Sequence, residues 1–502
     1  MKNNNDILLR MKNISKSFGS VQALKNVDFT LKRGEVHGLV GENGAGKTTL
    51  MNILHGIEAN DSGTIQINSH EFKQMSTSTA KKMGIAVIPQ KIQLFFELSI
   101  AENLFINNWP INKKSHAINW SEMKSKTREI LEKVDLNIDP LRKVSTLSYI
   151  EQQMIEIAKG FFVEKAEILI LDEPTSPLVI HEIKILFNLI ETLKKKGLSF
   201  IYISHYLDEV FKICDRVTVL RDGQVVSVAD IKSIDMKTLI KMMVGEGINI
   251  YPNRKSNIGE DILEVKKFIR KPMLNGVNFT VKRGEILGIA GLKGSGRTEL
   301  ARSLCGLDRY DEGEIVYKGK KIKINSTRKG LDNGIGYLTE DRIKWGLFSI
   351  RSVIENTTIT FLKKIINKAG FIKIKEEKDI VQSYRDKLNI KIASTNQQVK
   401  YLSGGNQQKV IIAKLLGSDL DIFIFDEPTF GIDVKAKMYI HEIMNMLVEE
   451  GKSIILISSD VMELVRMSDR IIILKEGKIQ KELLQDSINE SKIISILEGA
   501  AG

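Results

Sequence analysis

Gly41-Glu42-Asn43-Gly44-Ala45-Gly46-Lys47-Thr48 is a complete match to the pattern G-x-x-x-x-G-K-[ST]. Gly291-Leu292-Lys293-Gly294-Ser295-Gly296-Arg297-Thr298 repeats it with arginine in place of the lysine. Residues 36–40 before the first stretch form a strand-length apolar run, and a helical pattern follows from Gly46 through Leu50 and Leu54. A strand, a glycine-rich turn and a helix in that order wrap backbone N–H groups around phosphate oxygens, where the helix dipole favours anions. Lys47 is placed to reach β- and γ-phosphates, and Thr48 to bind Mg²⁺. The candidate nucleotide-binding residues are therefore Gly41, Glu42, Asn43, Gly44, Ala45, Gly46, Lys47, Thr48 and Thr49 in the first stretch. In the second they are Gly291, Gly294, Gly296, Arg297 and Thr298.

The two stretches belong to a tandem repeat. Leu31-Lys32-Arg33-Gly34-Glu35 precedes the first and Val281-Lys282-Arg283-Gly284-Glu285 the second. Gly41 and Gly291 stand 250 positions apart, as do Gln90 and Glu340; the spacing is 255 from Leu147 to Leu402 and 254 from Asp172 to Asp426. Such spacing implies duplicated domains, 1–248 and 261–502, joined by a short polar linker at 249–260. Within each half, apolar runs end in polar residues: 168–171 in Asp172-Glu173, and 200–203 in Ser204-His205. Joined by helical patterns, these runs predict an α/β fold whose largely parallel sheet carries a site at its strand C-termini. Longer helical patterns over 92–160 predict a helical subdomain.

Bulk composition narrows the classes. The chain has 502 residues, 42% of them hydrophobic, yet no run nears the roughly 18 apolar residues of a membrane helix. Met1-Lys2-Asn3-Asn4-Asn5-Asp6 lacks the apolar core of a signal peptide, so a soluble, cytosolic chain is expected. Two cysteines, Cys214 and Cys305, exclude disulfide frameworks, zinc fingers and cysteine-ligated iron–sulfur clusters. The net charge of +12 could face nucleic acid, an anionic leaflet or only solvent. Lys194-Lys195-Lys196, near the end of a predicted helix, fits the last reading.

Asp172, after four aliphatic residues, suits an Mg²⁺-holding carboxylate, and Glu173 a group that polarises an attacking water. Leu402-Ser403-Gly404-Gly405-Asn406-Gln407-Gln408-Lys409 resembles the signature motif of ATP-binding cassette (ABC) ATPases. Gln90 after Ile88-Pro89 resembles the Q-loop, His205 the switch histidine, and Phe18 the aromatic that stacks on adenine. The resemblance spans nearly the whole chain. More narrowly, the chain is similar to the tandem ATPases of bacterial carbohydrate importers of the ribose/galactose/autoinducer-2 type. That likeness rests on the second phosphate loop through Glu299-Leu300, on Thr339-Glu340-Asp341-Arg342, on the signature, and on Asp426-Glu427-Pro428-Thr429 with Gly431-Ile432-Asp433.

The resemblance implies two tandem P-loop NTPase domains of ABC type, with ATP and Mg²⁺ as ligands. Its cassettes pair within the chain, each site joining the phosphate loop of one to the signature of the other. The first site then takes Lys47, Gln90, Glu173 and His205 as catalytic groups and Thr48, Gln90 and Asp172 as metal ligands. Ser403, Gly404, Gly405 and Asp433 complete it. The second takes Asp426 and Glu427 with its altered loop, and collects further departures: Glu340 for glutamine, Ser459 for histidine, and Tyr149-Ile150 where the signature has glycines. Nucleotide binding with slow hydrolysis is expected there. The implied partners are transmembrane permease subunits and, indirectly, an extracytoplasmic solute-binding protein, with no nucleic acid. The location is peripheral, at the cytoplasmic face of the membrane. The alternative is a soluble tandem-cassette translation factor on the ribosome; it suits the basic charge, but such proteins resemble two intact cassettes with a long charged linker. A DNA-repair cassette protein would need cysteine-rich zinc modules. Pentose, hexose, nucleoside and autoinducer-2 all remain open as the solute.

Overall fold

Val36–Gly41 is buried at every residue, as a strand must be when both faces of its sheet are covered. In the computed structural model it runs parallel to both neighbours, Ser199–Ile203 and Arg216–Arg221. The six-stranded sheet is ordered Gln224–Asp230, Arg216–Arg221, Val36–Gly41, Ser199–Ile203, Ile168–Asp172, Ile85–Ile88. Only the first of these, at one edge, is antiparallel. Residues 7–113, 115–178, 180–245 and 257–498 are described. Contacts divide the chain into Met1–Ile248 and Asn249–Gly502. Positions 249–256 of the expected linker lie outside the described residues.

The second unit repeats the plan. Its sheet runs Ile335–Leu338, Ile422–Asp426, Ser453–Ile457, Ile286–Gly291, Arg470–Lys475, Lys478–Leu484, parallel except for the last strand. Strand order brings the C-terminal ends of three neighbours together in each unit. Those ends carry the phosphate loop, the Asp-Glu pair and the residue at position 205 or 459.

Each unit also holds a four-stranded antiparallel sheet that the sequence reading did not anticipate. It is ordered Val21–Lys32, Ile7–Phe18, Ser62–Ile67, His70–Phe72 in the first unit. Leu274–Lys282, Asp261–Arg270, Glu312–Tyr317 and Lys320–Ile322 form it in the second. Register shifts, such as that between Met11 and Ile14, interrupt the period-2 alternation and hide these strands from pattern reading. Their inward side chains, Leu9, Met11 and Phe29 among them, pack with Leu50 and Leu54 of the helix Lys47–His55. Each such buried side chain contributes roughly 1.5–3 kcal/mol, so the phosphate-loop helix is clamped from behind.

The expected helical subdomain is present: Ile100–Phe105, Trp120–Lys133 and Tyr149–Ala158 in the first unit. Its counterpart includes Val353–Thr358, Ile374–Lys387 and Gly404–Leu416. Capping boxes at Ser99 and Ser148 fix where two of these helices begin. Lys194 pairs with Asp215 at 2.8 Å, so that lysine is spent on a local ion pair. Among the described residues no helix is long and apolar enough to cross a membrane.

Candidate functional site

In the first unit Gly46 sits at φ 103°, directly before Lys47–His55. A Cβ there would lie 2.6 Å from Leu24 Cδ2, so glycine is required by conformation and by space. No side chain caps this helix, which leaves its first N–H groups for an anion. Lys47 Nζ donates to the carbonyls of Gly41 (2.7 Å) and Glu42 (3.0 Å), which keep the ammonium folded over the loop. Asn43, Gly44 and Thr48 are exposed at the loop, Thr49 is half-buried and Ala45 is buried. Phe18, 47% exposed, ends its strand with Lys16 Nζ 5.1 Å from the ring centroid.

The Asp-Glu pair closes the strand Ile168–Asp172. Glu173 has φ 48°, a left-handed backbone rare for non-glycine residues, held by its N–H donating to the Ile203 carbonyl at 2.9 Å. Its carboxylate receives Gln90 Nε2 at 2.9 Å and lies 3.2 Å from His205 Nδ1. Burial pushes its pKa up, but the hydrogen bond and charge of His205, with the charge of Lys47, outweigh burial and leave it below the ordinary value. Glu173 is therefore ionised at neutral pH and able to take a proton. His205 Nε2 is buried and has no partner among the described residues, a polar atom open to a ligand.

The same observations test the fit of ATP and Mg²⁺. Among the described residues no three His, Cys, Asp or Glu side chains gather as a metal cluster. Nucleotide-bound Mg²⁺ needs only one or two protein ligands, since phosphates and water fill the rest. Burial and then the neighbouring Glu173 push the pKa of Asp172 up, so negative charge at this strand end exceeds what Lys47 offsets. Asp172, Thr48 and the Oε1 of Gln90 would hold a divalent cation here, and its charge would offset that imbalance.

The second unit has the same backbone and different contacts. Glu427 also lies at φ 49°, its N–H donating to the Ile457 carbonyl at 2.8 Å. Arg297 Nη1 reaches beyond its loop to the Ser458 carbonyl at 2.9 Å and stands 3.7 Å from Glu427 Oε1. Ser459 Oγ donates to Glu427 Oε2 at 2.9 Å. Burial nevertheless pushes the Glu427 pKa up to about 7, against the opposing effects of Arg297 and Ser459. Burial also raises Asp426 to about 6, with the exposed Glu340 adding to the rise. Asp426 accepts Tyr337 OH at 2.8 Å and Thr298 Oγ1 at 3.4 Å. Tyr337 escaped the sequence reading. Its signal was a hydroxyl in the strand Ile335–Leu338 where the wholly apolar Ile85–Ile88 has Val87. The hairpin corresponding to Phe18 is shorter here and turns through Lys271-Pro272, without an aromatic.

Each signature segment is tied to the Gln90 or Glu340 segment of its own unit. Ser403 caps Gly404–Leu416, Arg342 Nη1 donates to the Gly404 carbonyl at 3.2 Å, and a Cβ on Gly405 would lie 2.7 Å from Ala436 Cβ. Asp433 caps Val434–Glu449, accepting from the Ala436 N–H at 2.8 Å. In the first unit Tyr149 OH donates to the Gln90 carbonyl at 2.9 Å, while Ile150 is buried in its own subdomain. The bulk expected from both residues is thus presented by Tyr149 alone.

Two phosphate loops, each before a strand ending in Asp-Glu and each paired with a capped signature helix, define a tandem ATP-binding cassette ATPase. The ABC transporter family profile matches residues 24–176 and 274–430, and the chain belongs to that family. Among curated proteins it is 46% identical over 493 residues to the ribose import ATP-binding protein RbsA of Clostridium perfringens (strain 13 / Type A), covering 98% of each chain. It is 41% identical over 495 residues to a putative ribose/galactose/methyl galactoside import ATP-binding protein of Agrobacterium fabrum (strain C58 / ATCC 33970), covering 98% and 97%. An archaeal ribosome recycling factor, solved with a ribosomal stalk protein, aligns over 97% of this chain and 92% of its own. Its TM-score is 0.60 at 19% identity, a likeness of fold alone.

Proposed function

We propose that the chain is the ATP-hydrolysing subunit of an importer for a sugar of the ribose class, with hydrolysis at the first phosphate loop and nucleotide held at the second. The carrying observation is the contrast at the strand ends: Glu173 is ionised and held by Gln90 and His205, whereas Glu427 is pushed up to about 7 and faces Arg297. The open helix N-terminus and Lys47 bind the β- and γ-phosphates. Glu173 accepts the proton of the attacking water, Gln90 orients that water, and His205 presents Nε2 to the γ-phosphate. Thr48, Asp172 and Gln90 would hold Mg²⁺, which would neutralise phosphate charge. By family likeness, Ser403, Gly404, Gly405 and Asp433 complete this site. Gly291, Gly294, Gly296, Arg297, Thr298, Asp426 and Glu427 form the nucleotide-holding one. The domains are 1–248 and 261–502, with 249–260 as the connector.

The membrane partners are permease subunits, with the chain at the cytoplasmic face and the solute-binding protein reached only through them. Support comes from exposed apolar side chains downstream of each Gln90-type position: Phe95 and Phe96 in one unit, Ile343, Trp345, Phe348 and Ile350 in the other. Such patches suit cytoplasmic segments of a permease. The ribosomal alternative is not favoured, since relatives over nearly the full length are named as import proteins. The test is ribose uptake by vesicles holding the full chain with its permease subunits. ATP-driven uptake that Glu173→Gln abolishes is expected; uptake indifferent to that substitution, or the chain co-sedimenting with ribosomes in ATP-trapped cells, would overturn the proposal.

A further inference from the structure

Glu209 lies on the short helix Leu207–Ile213, buried, and does not belong to the nucleotide site. One of its oxygens, Oε2, collects three hydroxyl donors: Thr175 Oγ1 at 2.7 Å, Tyr202 OH at 2.8 Å and Ser204 Oγ at 3.0 Å. Thr175 is two residues beyond Glu173. Ser204 immediately precedes His205, and its Oγ also accepts the Tyr206 N–H at 2.9 Å, so both sides of His205 are fixed through one hydroxyl. The Glu209 carboxylate therefore ties the loop that carries Glu173 to the loop that carries His205, whose side chains meet at 3.2 Å.

The second unit supplies an internal control. At the offset of 254 that relates Asp172 to Asp426, Glu209 becomes Glu463, Tyr202 becomes Leu456 and Phe187 becomes His441. Glu463 is again fully buried and again accepts from the serine before the switch position, Ser458 Oγ at 2.6 Å. Its other partner is His441 Nε2 at 2.7 Å. The tyrosine hydroxyl from the strand has been exchanged for an imidazole from the neighbouring helix, and the carboxylate kept. Among the described residues Thr429, the counterpart of Thr175, makes no bond to Glu463. The link from the buried carboxylate to the Asp-Glu loop is thus found in the unit whose glutamate meets a histidine.

We infer that Glu209 is a positioning residue for ATP hydrolysis, setting the separation of Glu173 and His205 through Thr175 and Ser204. A small misplacement of a proton acceptor lowers the rate of the chemical step while leaving phosphate binding intact. The role rests on the reading of Glu173 as the group that takes the water proton.

The test measures kcat and KM for ATP on the full chain, with melting temperature as a check on folding. Thr175→Val removes the hydroxyl that joins Glu209 to the Glu173 loop and is expected to lower kcat severalfold with KM within about twofold. Glu209→Ala is expected to lower kcat at least tenfold, and Glu209→Gln, which keeps an acceptor oxygen, to recover part of that loss. If Glu209→Ala does not fold, Thr175→Val and Ser204→Ala decide the matter by the same split. Wild-type kcat in folded Thr175→Val and Glu209→Ala, with Glu173→Gln inactive, overturns this inference alone. So does a kcat loss matched by an equal rise in KM. Full activity in Glu173→Gln overturns the reading of the site and this inference with it.

Discussion

Glu173 and Glu427 occupy matching left-handed positions at the ends of matching buried strands, each pinned through its N–H to the adjacent strand. What differs is the side chains around the carboxylate. Gln90 and His205 surround one, and His205 with Lys47 holds it ionised; Arg297 and Ser459 surround the other, and burial wins. Duplication preserved the scaffold because the scaffold is enforced by packing, as at Gly46, Gly296 and the buried strands. The chemistry was free to diverge because it depends on a few side chains that carry little of the core.

A large effect that can break this comparison is at the phosphate loops. Lys47→Ala is expected to lower steady-state ATP turnover roughly 10²–10³-fold, and Arg297→Ala to change it by no more than about threefold. Equal losses would place hydrolysis in both units. A smaller effect sharpens the comparison through stability. Between the ordinary carboxylate value of 4.5 and about 7, folded Glu427 holds a proton that the unfolded chain has released. Stability therefore falls as pH rises through that window, and the full penalty is present above it. Glu427→Gln removes the penalty, and calorimetry should find the second unit stabilised by roughly 3 kcal/mol at pH 8 and little changed at pH 4.5. Glu173 has the opposite sign. Its lowered pKa contributes stability above the ordinary carboxylate range that is lost as pH falls through the folded value, so Glu173→Gln should give no such gain at pH 8. An equal gain from both substitutions would erase the distinction.

Much of this was legible in the sequence because it is local. A phosphate loop, a strand ending in Asp-Glu and a serine before a signature helix each occupy fewer than about ten consecutive positions, where periodicity and spacing act. The antiparallel sheets were not legible, since bulges near Met11 and Phe268 break the alternation that marks a half-buried strand. Tyr337 and Glu209 were missed for another reason. Their roles lie in hydrogen bonds to residues far away in sequence, Asp426 and Thr175, and nothing local marks a strand tyrosine or a helix glutamate as part of a network. Ile150 shows the converse: motif alignment put it beside the signature glycines, and its place in the core of the subdomain turned it inward.

The division of labour between the two cassettes is tested most directly by steady-state ATP turnover of the full chain carrying either Glu173→Gln or Glu427→Gln. The account predicts a loss of roughly 10²–10⁴-fold for the first and no more than about twofold for the second. Comparable losses from both, or a greater loss from Glu427→Gln, would contradict it.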